Sequence, residues 1–248
     1  MMNTSSFPIT ARPCWARVLA PVVTATAIVA ATSGPADAAL APAVGDTYVY
    51  RVVNGYNKEV RGQISYRVDK IDADRITVSV ATDIAALGPA HTEIYTQEGN
   101  WLRHPVTNHD QPVEYEFAPA YPAYVLPLET GKSWSVRVNA VNPASGRRNS
   151  VRVDGAVLGA ERISVPAGAF DTIKVRRRVY AGDWDGVRFE TNITETDWYA
   201  PALGRAVRTE SNSDYHDPGR CSNEMHACTP IRGDWNVIEL TATSTGRP

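Results

Sequence analysis

Regular alternation of apolar and polar residues is the feature that most constrains this chain. In residues 63–69, for example, Ile64, Tyr66 and Val68 fall on one side of an extended backbone. Side chains alternate across a strand, so this pattern predicts strands with one buried and one solvated face. It recurs in residues 75–81, 133–138, 171–179 and 187–194. The inward residues predicted there are Ile76, Val78, Val80, Trp134, Val136, Val138, Ile173, Val175, Val179, Val187, Phe189 and Ile193.

Turn signals separate these segments. Asp185-Gly186 is typical of a hairpin turn and would join residues 172–182 to residues 187–198. No stretch after the leader keeps helical spacing over three turns, and Thr82–Leu87 would form at most one or two turns before Gly88-Pro89. We therefore predict an all-β, mostly antiparallel fold, a curved sheet or open barrel with few or no helices.

A weak internal repeat accompanies the alternation. The segment beginning Val44-Gly45 aligns with the one beginning Thr130-Gly131, and two later patches align at nearly the same spacing. This predicts a single β domain over 39–248, with two related meanders at 43–126 and 127–210. A disulfide loop and a C-terminal strand would follow in 211–248. The competing interpretation is that strand composition alone produces the matches.

The N-terminus resembles an export signal. Arg12 and Arg17 precede an apolar run over 18–31, and Pro35-Ala36-Asp37-Ala38 supplies small residues for a peptidase. We predict a signal peptide over 1–38, cleaved after Ala38 or Ala39, and a secreted or periplasmic protein with no stable membrane anchor. The alternative is an uncleaved anchor, but the run is shorter than the roughly 18 residues that a spanning helix needs.

Charge and cysteine content narrow the partners further. Removing residues 1–38 takes away Arg12, Arg17 and Asp37, which changes the formal net charge from −2 to −3. A nearly neutral chain argues against nucleic acid as a partner. Cys221 and Cys228 remain, and in an oxidising compartment they predict a disulfide. A pair of metal thiolates is the alternative, although this spacing is not typical of zinc sites.

Three motifs lie in the second half of the chain: Leu128-Glu129-Thr130-Gly131-Lys132-Ser133-Trp134, then Val165-Pro166-Ala167-Gly168-Ala169-Phe170-Asp171, then Asp197-Trp198-Tyr199-Ala200-Pro201-Ala202-Leu203-Gly204. Together they resemble a group of bacterial exported domains of unknown function that includes those labelled TapB-like. The resemblance covers mainly residues 126–210. It implies a β-rich envelope protein, related to curved half-barrels that carry lipid-like ligands, and it implies no reaction.

Residues with catalytic or metal-binding potential are few. The sequence contains no Gly-x-Ser-x-Gly elbow and no phosphate-binding loop, so we assign no catalytic residue and no cofactor. The segment 214–228 holds His216, Glu224 and His226, which in principle could bind a metal and support a hydrolase. The alternative is an exposed polar loop, which has the same composition.

Aromatic residues supply the remaining candidate site. The proline-rich segment 112–126 looks like a linker, but it carries Tyr115, Phe117, Tyr121 and Tyr124. It could cover one opening of the sheet or line a groove, where Trp198 and Tyr199 would join it as ligand-binding residues.

The leading hypothesis is therefore a non-catalytic envelope protein that binds a lipophilic small molecule or an envelope protein in a concave sheet. The alternatives are a structural or protein-interaction module with a filled core, and a metal-dependent hydrolase that uses the 214–228 loop.

Overall fold

The computed structural model describes residues 42–88, 90–108, 111–182, 189–222 and 227–246. The predicted signal peptide, residues 1–38, lies outside these ranges. The twelve strands of the described residues are β1 (Thr47–Asn54), β2 (Val60–Ile71), β3 (Ile76–Thr82), β4 (His91–Tyr95), β5 (Trp101–Asn108), β6 (Gln111–Tyr121), β7 (Ser133–Val141), β8 (Arg148–Val165), β9 (Gly168–Gly182), β10 (Phe189–Ala200), β11 (Arg205–Ser222) and β12 (Ala227–Ser244). Two short 3-10 helices, Ala85–Leu87 and Pro201–Leu203, interrupt them.

The strands form one closed antiparallel barrel. Each strand pairs with its successor, and β1 closes the ring by pairing with β12, where Thr47 lies opposite Ser244. On the outside of this closure, the Glu239 carboxylate accepts hydrogen bonds from Arg51 on one side and Arg208 on the other. The predicted all-β antiparallel class is confirmed, and the sheet is closed rather than open.

The alternation seen in the sequence determines which side chains face inward. Ile64, Val68, Ile76, Val78 and Val80 are all buried, as predicted. Farther along the chain, the backbones of residues 173–182 and 191–199 pair as the predicted hairpin, while its tip at residues 183–188 lies outside the described residues. The period-two pattern therefore predicted the buried residues of β2 and β3 correctly, while the predicted inward residue Val187 lies outside the described residues.

The segment 112–126 differs from its prediction as a linker, because most of it is strand β6. This strand pairs along most of its length with β5, but in the described residues it pairs with β7 only over Glu116–Ala118. Proline is tolerated in a strand where the ladder requires no N–H donor, and the sparse pairing with β7 meets that condition. Tyr115, Phe117 and Tyr121 are buried there.

The segment 214–228 also differs from the predicted loop. Its described backbone continues β11 as far as Ser222 and resumes in β12 at Ala227, and the strand register sets Cys221 opposite Cys228. Glu224 and His226 lie outside the described residues. The disulfide stays a prediction. So does the internal repeat, whose halves 43–126 and 127–210 would contain β1–β6 and β7–β10 respectively.

No helix within the described ranges is both long and apolar enough to cross a membrane.

Candidate functional site: a cavity inside the barrel

The barrel contains a cavity of about 680 Å³. Its wall combines aliphatic and aromatic side chains because many strands contribute inward residues to it. The aliphatic part of the wall includes Val52, Ile64, Val68, Ile76, Val78, Val80, Ile84, Leu87, Leu203 and Ile238, and the aromatic part includes Tyr48, Tyr50, Tyr66, Tyr95, Trp101, Tyr124 and Tyr199. Against this background, three groups of charged residues also face the interior.

The first charged group centres on Arg177 of β9, whose side chain is only 2% exposed. Its Nε lies 2.9 Å from Oε2 of Glu195, and its Nη2 lies 2.9 Å from Oδ2 of Asp197. Its Nη1 donates to the backbone oxygen of Ala123 at 3.0 Å. The guanidinium is thus paired with two carboxylates and a carbonyl, as a buried cation requires.

Hydroxyl groups complete this network. The Tyr121 hydroxyl donates to Glu195 at 2.8 Å, and the Tyr124 hydroxyl donates to Asp197 at 2.7 Å. Burial first, and then the neighbouring carboxylates, raise the pKa of both tyrosines well above its usual value. Both tyrosines therefore stay protonated and act as hydrogen-bond donors.

The second charged group surrounds Glu93 of β4, a residue that is 2% exposed. Its Oε1 lies 3.2 Å from Nε2 of His91 and 3.5 Å from Nε2 of His104, and the Tyr95 hydroxyl donates to Oε2. Burial opposes ionisation of Glu93, but His104, His91 and Tyr95 outweigh it and hold the pKa of this carboxyl below its usual value. The Trp101 ring stacks on His104 with centroids 3.9 Å apart.

The third charged group is Arg205 at the start of β11. Its guanidinium carbon lies 4.0 Å from the Tyr48 ring centroid, 5.0 Å from that of Tyr66 and 5.2 Å from that of Tyr50. Arg205 is intermediate in exposure and lines the cavity, whereas its Nε atom is buried and has no hydrogen-bond partner among the described residues. A protonated side chain therefore lies against three aromatic rings inside the barrel.

The six aromatic residues predicted to bind a ligand separate into two groups. Tyr124 and Tyr199 line the cavity, and their ring centroids are 4.8 Å apart. The other four are buried but are not part of the cavity wall: Tyr115, Phe117, Tyr121 and Trp198. The ligand-binding role of all six stays a prediction.

Trp198 shows why a buried aromatic residue need not face the cavity. It lies between Asp197 and Tyr199 on β10, both of which line the cavity, so strand alternation directs it to the opposite side. There its Nε1 donates to Glu161 at 3.1 Å, and Lys174 lies 4.6 Å from its ring centroid.

The structure describes only one of the three residues predicted to form a metal site, His216, Glu224 and His226. His216 belongs to β11, whereas the other two residues lie outside the described ranges. In the portion that the structure describes, no group of three or more His, Cys, Asp or Glu side chains is arranged to hold a metal ion. The predicted metal site stays a prediction.

The most polar features of the site, Arg177, Glu93 and Arg205, were not among the predicted site residues. One signal in the sequence could have identified Arg177, because it takes an inward position between Val175 and Val179. Arg177 and Glu93 are buried, whereas Arg205 is intermediate in exposure. Glu93 and Arg205 lie in segments whose alternation was not recognised from the sequence.

The fold and its interior define a closed antiparallel β-barrel with a cavity that is mainly apolar and locally charged. No protein-family model and no curated protein matches the chain. The TapB-like resemblance therefore stays a prediction.

Several solved bacterial structures are similar to the chain. A candidate lipoprotein of Parabacteroides distasonis has a TM-score of 0.48 and 14% identity, covering 82% of this chain and 97% of its own. A candidate exported protein of Bacteroides fragilis with a YmcC-like fold has a TM-score of 0.47, 14% identity and the same coverage. The hypothetical lipoprotein YmcC of Escherichia coli has a TM-score of 0.41 and 11% identity, covering 79% of this chain and 83% of its own.

Proposed function

We propose that this protein is a non-catalytic exported envelope protein whose barrel binds a lipophilic ligand. The observation that carries the proposal is the cavity of about 680 Å³ lined by Val, Ile, Leu and Tyr side chains. Small-molecule sites usually occupy about 300 to 1,000 Å³ and have mainly apolar walls with a few placed polar groups. The main alternative, a structural module, would have a filled core instead of a cavity of this size.

The charged residues of the cavity favour binding over catalysis. His91 and His104 lie beside the Glu93 carboxylate, and the Thr209 hydroxyl donates to Asp197 at 2.7 Å. The Asp197 carboxylate is already engaged, because it also accepts from the Arg177 guanidinium and the Tyr124 hydroxyl. These groups support a fixed polar framework around a ligand.

Export is supported by the sequence alone. A leader with two arginines, an apolar run and a small-residue site before position 39 is what secretion machinery recognises. Outside the cytoplasm, a lipophilic molecule needs a carrier to cross an aqueous space. An apolar cavity would shield such a molecule from water. The natural ligand would then be an envelope lipid or a lipophilic small molecule.

Native mass spectrometry of the mature chain, residues 39–248, purified gently from the periplasm or medium, is the first test. We expect a bound mass in the lipid range that denaturing extraction releases. The same spectrum tests the cysteine prediction, because a Cys221–Cys228 disulfide lowers the polypeptide mass by about 2 Da. A bare polypeptide that also fails to bind added lipid would contradict the carrier function.

A matched pair of variants links binding to the cavity. Val80 faces the cavity, whereas Ala81 is exposed on the next position of β3. We expect Val80→Phe to fill part of the cavity and weaken binding of the fluorescent probe N-phenyl-1-naphthylamine about tenfold or more, and Ala81→Phe to leave it unchanged. Equal binding by both variants would place the ligand elsewhere.

A further inference from the structure

We propose that the ligand is an amphiphile with an anionic head group, and that Arg205 binds this head group inside the barrel. This inference rests on the proposed function and specifies the chemical class of the ligand. It follows from a difference among the charged side chains of the cavity that are not exposed: Arg205 has no counter-charge among the described residues, whereas Arg177, Glu93, Glu195 and Asp197 are paired.

The position of Arg205 is fixed by the turn before it. The 3-10 helix Pro201–Leu203 ends at Gly204, which adopts a left-handed conformation with φ of +64°, and β11 begins at the next residue. Glycine tolerates this backbone conformation because it has no Cβ. The turn therefore delivers the Arg205 side chain to the interior at the beginning of a strand, among the tyrosines of β1 and β2.

The two arginines of the cavity differ sharply in their partners. Arg177 lies within 2.9 Å of both Glu195 and Asp197. By contrast, no carboxylate of the described residues lies within ion-pair distance of Arg205, and its Nε donates to no described atom. Burying an unpaired charge costs several kcal/mol, so buried guanidinium groups are normally matched by an anion.

The surrounding tyrosines only partly replace a counter-charge. Contacts between a guanidinium and aromatic faces stabilise the cation, but by less than a carboxylate or phosphate in direct contact does. The Tyr50 hydroxyl is already used, since it donates to the backbone oxygen of Ala206 at 2.8 Å. The Tyr66 hydroxyl has no hydrogen bond to any described residue, so it can serve as a second donor beside Arg205.

Two acidic residues of the cavity, Glu98 and Asp234, are exposed, and the less exposed ones are all engaged elsewhere. Glu93 is held by two histidines and Tyr95, while Glu195 and Asp197 are held by Arg177. The charged group that remains available to a ligand is therefore the Arg205 guanidinium, and apolar wall residues such as Val68 and Val80 line the same cavity. A carboxylate or phosphate joined to an apolar chain matches both parts.

The test compares ligands that share a chain and differ only in the head group. Delipidated mature protein is titrated by calorimetry with dodecanoate, dodecyl phosphate and dodecanol. We expect the wild type to bind at least one of the two anions about 10- to 100-fold more tightly than the alcohol, which is the range for a charge-assisted hydrogen bond. The stronger of the two anions identifies a carboxylate or a phosphate source.

Variants assign the preference to Arg205. We expect Arg205→Gln to abolish the preference for the anion while leaving dodecanol binding intact, and Tyr66→Phe to reduce the preference several-fold. Arg67→Gln is the matched control, because Arg67 also carries a positive charge but is exposed on the residue after Tyr66. If Arg205→Gln does not fold, Arg205→Lys, which keeps the charge but loses the planar fork, should give a weakened preference.

The outcomes separate the two proposals. Equal binding of the anions and dodecanol by the wild type would overturn the anionic head group and leave the carrier function standing. An anion preference that survives Arg205→Gln would overturn the role of Arg205. Failure to bind any of the three probes would overturn the proposed function itself.

Discussion

Arg177 is the clearest case of a single residue on which the interior depends. Its guanidinium pairs with Glu195 and Asp197, and these two carboxylates have no other cation among the described residues within ion-pair distance. Removing one partner of a buried ion pair leaves the remaining charge uncompensated, which costs more than the pair itself contributes. The stability of the barrel should therefore respond strongly to a change at this position.

We predict that Arg177→Met lowers the free energy of unfolding by about 3–5 kcal/mol, measured by urea denaturation. Arg176→Met is the control, since Arg176 is exposed on the neighbouring position of the same strand and should change stability by less than about 0.5 kcal/mol. A neutral effect of Arg177→Met would mean that the network contributes nothing to folding.

For Arg177, the sequence predicts the inward position of the side chain but not its ion-pair partners. Alternation places Arg177 inward between Val175 and Val179, yet its charge indicates an outward position. The conflict resolves only in three dimensions, because Glu195 lies opposite Arg177 across the β9–β10 pair. Strand identity follows from the local pattern, whereas the counter-charge depends on register between strands, which the pattern does not specify. Arg205 and Glu93 escaped prediction because the alternation of the segments around them was not recognised.

At the scale of strand pairs, glycine and tryptophan fit together across β7 and β8. Gly155 lies opposite Trp134, and a Cβ placed on Gly155 would come within 2.0 Å of Cε2 of the indole. The absence of a side chain lets the indole lie directly over the strand. The alternation had predicted Trp134 as an inward residue, but it gave no reason for the glycine opposite.

We predict that Gly155→Ala destabilises the protein by about 1–3 kcal/mol, because the methyl group displaces the indole. A double-mutant cycle supplies the control: in a Trp134→Ala background the obstacle is gone, so adding Gly155→Ala should cost little or nothing. Both are measured by chemical denaturation. Additive effects of the two substitutions would show that the contact between them is not the cause.

For the molecule as a whole, the charged interior makes stability depend on pH. Burial alone would raise the pKa of Glu93 in the folded protein. His104, His91 and Tyr95 more than offset this effect and hold the pKa below its usual value of 4.5. A lowered folded-state pKa means that the carboxylate contributes stability above the pKa of the unfolded chain. That contribution is lost as the pH falls through the folded value.

We predict that the wild type has a higher free energy of unfolding than Glu93→Gln. This difference should be largest above about pH 5 and should shrink as the pH is lowered further. The measurement is urea unfolding at a series of pH values between about 7 and 3. The exposed Glu129→Gln serves as the control and should follow the wild-type curve. A difference that stays constant across this range would exclude Glu93 as an acid-sensitive group.

Closure of the sheet also limits how the protein meets other molecules. Because β1 bonds to β12 and every described strand has a partner on both sides, the described sheet has no edge strand, although β6 pairs with β7 only over Glu116–Ala118. An extended peptide or a second copy therefore finds no edge strand to extend, which limits a common route to aggregation. We therefore expect a partner to recognise side chains and loops on the barrel, or a ligand bound in its cavity.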